Sequence, residues 1–405
     1  MPRSPLLSPP PILLASVAAC ALSGCSKTVT TERIEPTIIE VSVDGELGSP
    51  DAPLAFSGDT VSRTITVQTL DAAGQPYPFE GDLSVRVRPG KLDQAQWISV
   101  TGGQWTGTID FHAAFGPTRI WASDEGDKDG STGRLPSFAT GVTEELHYAF
   151  PTIAELNRID DHETNQLAGE FAELSIAERQ VVVTEIGTNG FWCTDIADEA
   201  GSYNSLYVYT FSKPEGIWQG ARLVELTGND QEYLATTQLS FPVYSAEEGS
   251  MLDVPEAIEI PVEATCDDDL MEAMESSLVT VTGASIPDDF NEGSADYADY
   301  IEYGQWPIEL AGGGCRIYVD STVSTDFAPT DMAGQEVGDI TGMLREIWGK
   351  WIITARGEGD IGAGSGIDDV SMELPDGTCS HSPGSDHFAH YNGGHPRPRP
   401  RPASH

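Results

Sequence analysis

Gly220-Ala221-Arg222-Leu223-Val224-Glu225-Leu226-Thr227-Gly228 and Gly334-Gln335-Glu336-Val337-Gly338-Asp339-Ile340-Thr341-Gly342 share one pattern. The register continues without a gap: Glu232 meets Glu346, Tyr233 meets Ile347, Ala235 meets Gly349 and Leu239 meets Ile353. Upstream, Val181-Val182-Val183-Thr184 pairs with Val279-Thr280-Val281-Thr282 after a one-residue adjustment, and Leu206 to Thr210 pairs with Ile317 to Ser321. Self-similarity of this kind means one supersecondary unit occurring twice. The alternation around Leu206, Val208, Ile317 and Val319 predicts strands with one inward face. The repeated Gly predicts a tight turn, and Thr-Gly a bend or bulge that helps a short sheet curl closed.

Each copy keeps one order. A long strand ends in Val-Thr. An aromatic strand follows (Gly190 to Asp195, or Gln305 to Leu310), then a Tyr-Val strand, then the Gly-led strand and a hairpin. This order resembles the OB-fold, a five-stranded Greek-key barrel. The first copy is similar to OB-like modules beside secreted bacterial nucleases. The usual Gly-Asp before the fourth strand is Gly220-Ala221 here and Gly334-Gln335 in the second copy. The resemblance places barrels over 168–242 and 277–360, joined by a connector over 243–276 in which Asp267 to Glu275 reads as a capped short helix with a solvated acidic face. OB barrels often bind on strands two and three, so Trp192, Tyr207, Tyr209, Trp306 and Tyr318 are candidate stacking residues, suited to glycans over nucleic acids.

Residues 37–150 alternate as short strands between turns: Ile38 to Val43, Thr64 to Thr69, Leu83 to Val87, Gln104 to Phe111 and Thr118 to Ala122. That spacing predicts a β-sandwich, and the strand order resembles bacterial immunoglobulin-like modules. Trp97, Trp105 and Trp121 read as core or sheet-packing residues. Residues 151–167 read as a linker. The fold class is therefore all-β: an Ig-like sandwich, then two tandem OB-like barrels. In Asp124-Glu125-Gly126-Asp127-Lys128-Asp129-Gly130 the carboxylates Asp124, Asp127 and Asp129 alternate before a Gly and are candidate calcium ligands, although Lys128 intrudes and no EF-hand Glu follows.

Leu22-Ser23-Gly24-Cys25, after an apolar run led by Arg3, resembles a bacterial lipobox. The resemblance implies a signal peptide over 1–24, lipidation of Cys25, a tether over 25–36 and a membrane as partner. Ser26, where Asp would favour inner-membrane retention, points to the outer membrane or cell surface. Three acyl chains imply stable anchoring.

The 405 residues carry 64 acids against 21 bases, a formal charge of -43. Such a field repels phosphate backbones, so nucleic acid is an unfavourable partner. Lys27, Lys91, Lys128, Lys213 and Lys350 are the only lysines; acids spread along the chain fit a saline habitat better than a calcium-loaded surface. After processing, Cys193, Cys266, Cys315 and Cys379 remain as disulfide candidates. Three pairings are open, with Cys193–Cys266 and Cys315–Cys379 as the sequential one. No Cys-x-x-Cys spacing supports zinc.

Gly357-Glu358-Gly359-Asp360-Ile361-Gly362 matches G-x-G-x-x-G, but Ala363-Gly364-Ser365-Gly366 breaks any following helix and two carboxylates face the phosphate position, so it reads as a linker. Outside the His/Pro/Arg-rich tail over 361–405, only His112, His147 and His162 occur, and no nucleophile–base motif is present. The reading is a surface lipoprotein with a non-enzymatic binding, adhesion or structural role, with a glycan or surface-protein ligand. The alternatives are a nucleic-acid-binding accessory of an extracellular nuclease system and a carboxylate-dependent hydrolase.

Overall fold

Alternation along the first third of the chain builds two sheets. The computed structural model describes residues 37–94, 96–126, 136–161, 164–165, 167–322 and 327–362. Cys20, Cys25, Asp127, Asp129, His162 and Cys379 lie outside the described residues. The strands are β1 (Thr37–Val43), β2 (Val61–Leu70), β3 (Gly81–Arg88), β4 (Lys91–Leu92), β5 (Gln96–Val100), β6 (Gln104–His112), β7 (Gly116–Ser123), β8 (Phe138–Ala139), β9 (Gly141–Val142) and β10 (Leu146–Tyr148). One sheet runs β4-β6-β2-β1-β8 and the other β10-β7-β3-β5, with β9 on β7. Every second residue faces inward: Ile65 and Val67 on β2, Val85 and Val87 on β3, Ile109 and Phe111 on β6, and Ile120 and Ala122 on β7 form one apolar cluster. This is the sandwich that the period-two pattern predicts.

The segment 151–167 is more structured than a linker. Helix α1 (Ile153–Asn157) starts at a capping box between Thr152 and Glu155. Its Ile153 and Leu156 join Ala113 and Phe115 of the sandwich in the apolar cluster of the first barrel. A short hairpin of β11 (Ile159–Asp161) and β12 (Thr164–Asn165) follows.

The first barrel contains β13 (Phe171–Glu173), β14 (Val181–Ile186), β15 (Gly190–Asp195), β16 (Ser205–Tyr209), β17 (Leu223–Tyr233) and β18 (Thr236–Ala246), in the order β13-β17-β18-β16-β15-β14. Strands β16 and β18 are parallel. The ends meet where Val183 donates its amide to Ala221 O at 2.9 Å and Gly220 donates to Val183 O at 2.9 Å. After β19 (Ile258–Glu259), the second barrel comprises β20 (Leu278–Ser285), β21 (Gln305–Leu310), β22 (Gly313–Asp320), β23 (Glu336–Ile347) and β24 (Lys350–Thr354). Pairing of β20 with β23 closes it, and β22 runs parallel to β24. Both copies thus share the Greek-key strand order of an OB-like barrel. Gly220 and Gly334 each hold positive φ, 83° and 73°, the tight turn for which the repeat keeps a glycine. At Gly228 the ladder slips, so that Phe241 and Pro242 on β18 face the single Gly228 on β17. That is the expected bulge.

Two expectations about sulfur and linkers are corrected. Cys266 is bonded to Cys315, with Cα atoms 5.0 Å apart. Cys193 is buried and free. The sequential pairing fails because Cys193 points into the first barrel, where its Sγ faces Leu206 O at 3.8 Å, whereas Cys266 ends a 3-10 turn packed on β22. The Gly357–Gly362 stretch folds back as a 3-10 turn: Arg356 binds Asp360, and Gly362 N donates to Asp339 O at 2.9 Å.

Candidate functional site

Residues two apart on a strand share a face, and Tyr207, Tyr209 and Phe211 occupy three such positions along and just beyond β16. Their rings form a ladder with their neighbours. Trp192 and Tyr207 have centroids 4.7 Å apart, Tyr207 and Tyr209 6.5 Å, Tyr209 and Phe211 4.5 Å, and Phe211 and Phe241 4.8 Å. The ladder starts buried and ends in solvent. Trp192 packs with Leu278 and Met343 of the second barrel, while Phe211 is 52% and Phe241 66% exposed. Both outer rings sit on left-handed backbone, with φ of 63° at Phe211 and 51° at Phe241. For bulky residues that conformation is disfavoured by roughly 1–3 kcal/mol and concentrates at functional positions. At Phe241 the bulge opposite Gly228 re-aims the ring. Tyr207 donates its hydroxyl to Asn189 Oδ1 at 2.9 Å. Burial pushes that hydroxyl up to about 12, so it remains a donor at neutral pH.

Three of the expected stacking residues, Trp192, Tyr207 and Tyr209, are therefore brought together. Trp306 and Tyr318 are not available to a ligand. Trp306 pairs with Val319 and points into the second barrel; its Nε1 donates to Ser321 Oγ at 2.9 Å and its ring lies 5.1 Å from Phe327. The strand alternation puts Pro307, not Trp306, opposite Tyr318. Tyr318 faces outward but is covered. Helix α3 (Ala295–Tyr303), inserted between β20 and β21, lies over it. Tyr318 donates to Asp296 Oδ1 at 3.1 Å, Lys350 Nζ stands 4.2 Å from the ring centroid, and Arg316 and Lys350 bind Asp296 and Asp299. Burial, then the Asp296 charge, hold the Tyr318 hydroxyl well above its ordinary value. Trp192 is likewise withdrawn from a stacking role, since Leu278 and Met343 of the second barrel bury it; in the first copy the strand-two and strand-three face opens only at the Phe211 and Phe241 end.

The acidic helix is also not the solvated face expected. Helix α2 (Asp268–Ala273) is capped by Asp267, whose side chain accepts from Leu270 N. Glu272 and Glu275, however, are buried between the barrels beside Glu346. Glu275 accepts Thr237 N from the first barrel at 3.0 Å and Glu346 N from the second at 3.2 Å. Removal from water, reinforced by the neighbouring Glu232 and Glu346, raises both Glu272 and Glu275 well above 4.5.

Asp124 turns its carboxylate on its own loop, accepting Gly126 N at 3.0 Å and Ser137 N at 2.8 Å. Among the described residues no group of three or more His, Cys, Asp or Glu is placed to hold a metal. Cys193 is inert as a nucleophile: burial, then Asp195, push its thiol up beyond the normal range. Phe211 and Phe241 are the site residues that strand-by-strand reading passes over. Phe211 was legible as the third member of the Tyr207, Tyr209, Phe211 series.

No family model matches the sequence, and no curated protein does. Among solved structures, the CARDB domain of a Pyrococcus furiosus protein is similar at 12% identity, over 28% of this chain and 97% of that domain, with a TM-score of 0.19.

Proposed function

We propose that the chain is an exported, lipid-anchored binding protein of the outer membrane or cell surface, not an enzyme, and that the exposed end of the aromatic ladder on its first barrel binds a glycan. The observation that carries this reading is the pair of outward rings, Phe211 and Phe241, held on left-handed backbone at the exposed end of the ladder. Aromatic faces stack on the C–H faces of sugars, and the exposed Asn189, whose backbone carbonyl accepts the amide of Thr210 next to Phe211, offers the N–H groups of its side-chain amide. The charge of -43 argues against a nucleic-acid strand on the same rings.

A glycan array on the exported chain, followed by calorimetric titration of the best neutral oligosaccharide, tests it. At about 0.5–1.5 kcal/mol per ring, Phe211→Ala with Phe241→Ala weakens binding by about fivefold to about 150-fold. Unchanged affinity in that variant, or single-stranded DNA binding more tightly than any glycan at low salt, refutes the proposal.

A further inference from the structure

Two tryptophans and three arginines face outward from the second sheet of the sandwich. Across β3 and β7, Arg86 stands opposite Trp121 and Arg88 opposite Arg119, while Ser84 lies between Trp97 on β5 and Ser123 on β7. Trp97 and Trp121 are partly exposed and lie outside the apolar cluster in which Trp105 takes part. Of the three tryptophans read as core or sheet-packing residues, Trp97 and Trp121 thus lie on the outer face of the sheet.

Arg88 directly across from Arg119 is an unfavourable pairing of like charges. Each of the three guanidinium groups is tied to one carboxylate through a single nitrogen: Arg86 to Glu125, Arg88 to Glu170 of the first barrel and Arg119 to Glu145. The side chains of Arg86 and Arg88 remain 63% and 64% exposed. Exposed pairs of this kind contribute little and exchange readily. The remaining N–H groups form planar forks suited to an oxyanion. Beside them a cavity of about 480 Å³ opens between sandwich and barrel, lined by Arg86, Arg88, Lys91 and Glu170. Lys91 reaches across it, 3.4 Å from Ala168 O. In a chain with three acids for each base, the face and cavity gather four cations with four acids, Glu125, Glu145, Glu170 and, beyond Ser84 on β3, Asp82, whose carboxylate accepts the Ser99 hydroxyl. Screening at physiological salt confines the field to about 8 Å, so these local charges decide what docks.

We propose that this face and its cavity bind an acidic saccharide, with the indole rings of Trp97 and Trp121 stacking on sugar faces and Arg86, Arg88, Arg119 and Lys91 holding carboxylate, sulfate or phosphate substituents. Stacking rings alternating with guanidinium forks match a polymer that alternates C–H faces with single anionic groups. The site is separate from the first-barrel ladder and does not depend on it.

The test is calorimetric titration of the full exported chain with oligogalacturonate, a sulfated oligosaccharide, a neutral oligosaccharide, sodium phosphate and phosphatidylglycerol vesicles. Binding of one of the acidic oligosaccharides is expected, weakening with salt. Arg86→Gln with Arg88→Gln lowers that affinity about tenfold or more, and Trp121→Leu lowers it without changing the salt dependence. Because Arg86 and Arg88 are exposed, an unchanged melting temperature is expected, and Arg119→Gln serves as a second variant. Phe211→Ala with Phe241→Ala leaves this binding intact, which separates it from the barrel site. The proposal is overturned if neither acidic oligosaccharide binds, if the arginine variants bind as the parent does, or if phosphate or vesicles bind as tightly as the saccharide.

Discussion

Replacing Glu272 with Gln should flatten the pH dependence of the barrel pair. Glu272 and Glu275 lie between the two barrels with Glu232 and Glu346 facing them, and burial leads the causes that raise both. Tyr203, whose hydroxyl is itself pushed up by burial and then by Glu272, borders the cluster, with Arg158 near it. A carboxyl held above its unfolded value keeps its proton in the native state after the unfolded chain has released it. Its stabilisation is complete below about pH 4.5 and is lost as pH rises toward the native value. Each retained proton tilts stability by about 1.4 kcal/mol per pH unit, so one such proton removes about 2.7 kcal/mol between about pH 5.5 and pH 7.5. Glu272→Gln preserves the charge of the protonated side chain and leaves the amide bonds to Glu275 in place. Urea unfolding at several pH values in high salt, where general repulsion is screened, measures the effect. The parent should lose stability as pH rises, and the variant should lose about 1.4 kcal/mol less per unit. Parallel pH profiles for parent and variant, or a parent that gains stability over this window, would refute a retained proton at Glu272.

Further outcomes follow from the same geometry. The Cys266–Cys315 bond closes a loop with a sequence separation of 49, for which the chain-entropy estimate is about 4 kcal/mol at 25 °C. Cys315→Ser should lower unfolding stability by an amount of that order in denaturant titration, and Cys193→Ser should leave the bond intact in peptide mapping. Trp306→Ala empties the core of the second barrel and should cost about 3–5 kcal/mol. Phe241→Gly relieves left-handed strain and should leave thermal stability unchanged or raised by up to about 1 kcal/mol while glycan binding falls. Intact mass spectrometry of the membrane-extracted protein should show a chain starting at Cys25 with diacylglycerol on its thiol, and a free thiol there would sink the anchoring proposal.

The barrels were legible because a repeat removes ambiguity: two stretches read in parallel reveal which alternating positions must be internal. Leu206 and Val208, Ile317 and Val319 all fall inside. The same alternation was harder to phase for single aromatics. A one-residue offset separates Trp192, outside, from Trp306, inside, because Trp306 corresponds in the ladder to Phe191. Helix α3 left little signal, since none of its residues is fully buried and its apolar anchorage is confined to Tyr297 and Tyr300, packed on the barrel's apolar cluster beside Phe290. The glutamate junction was illegible for another reason. A run such as Asp267 to Glu275 looks solvated until a second barrel is laid against it, and only tertiary packing sets that neighbour. The disulfide followed the same rule, being decided by which elements touch and not by order along the chain.

Helix α3 turns a duplicated module into an unequal pair. With the second barrel wearing its own plug, the proposed ladder site occurs once in each polypeptide. If the chain is anchored as proposed, grip of that site on a repetitive surface depends on how densely copies are planted in the membrane, since neighbouring chains raise the effective concentration for one another.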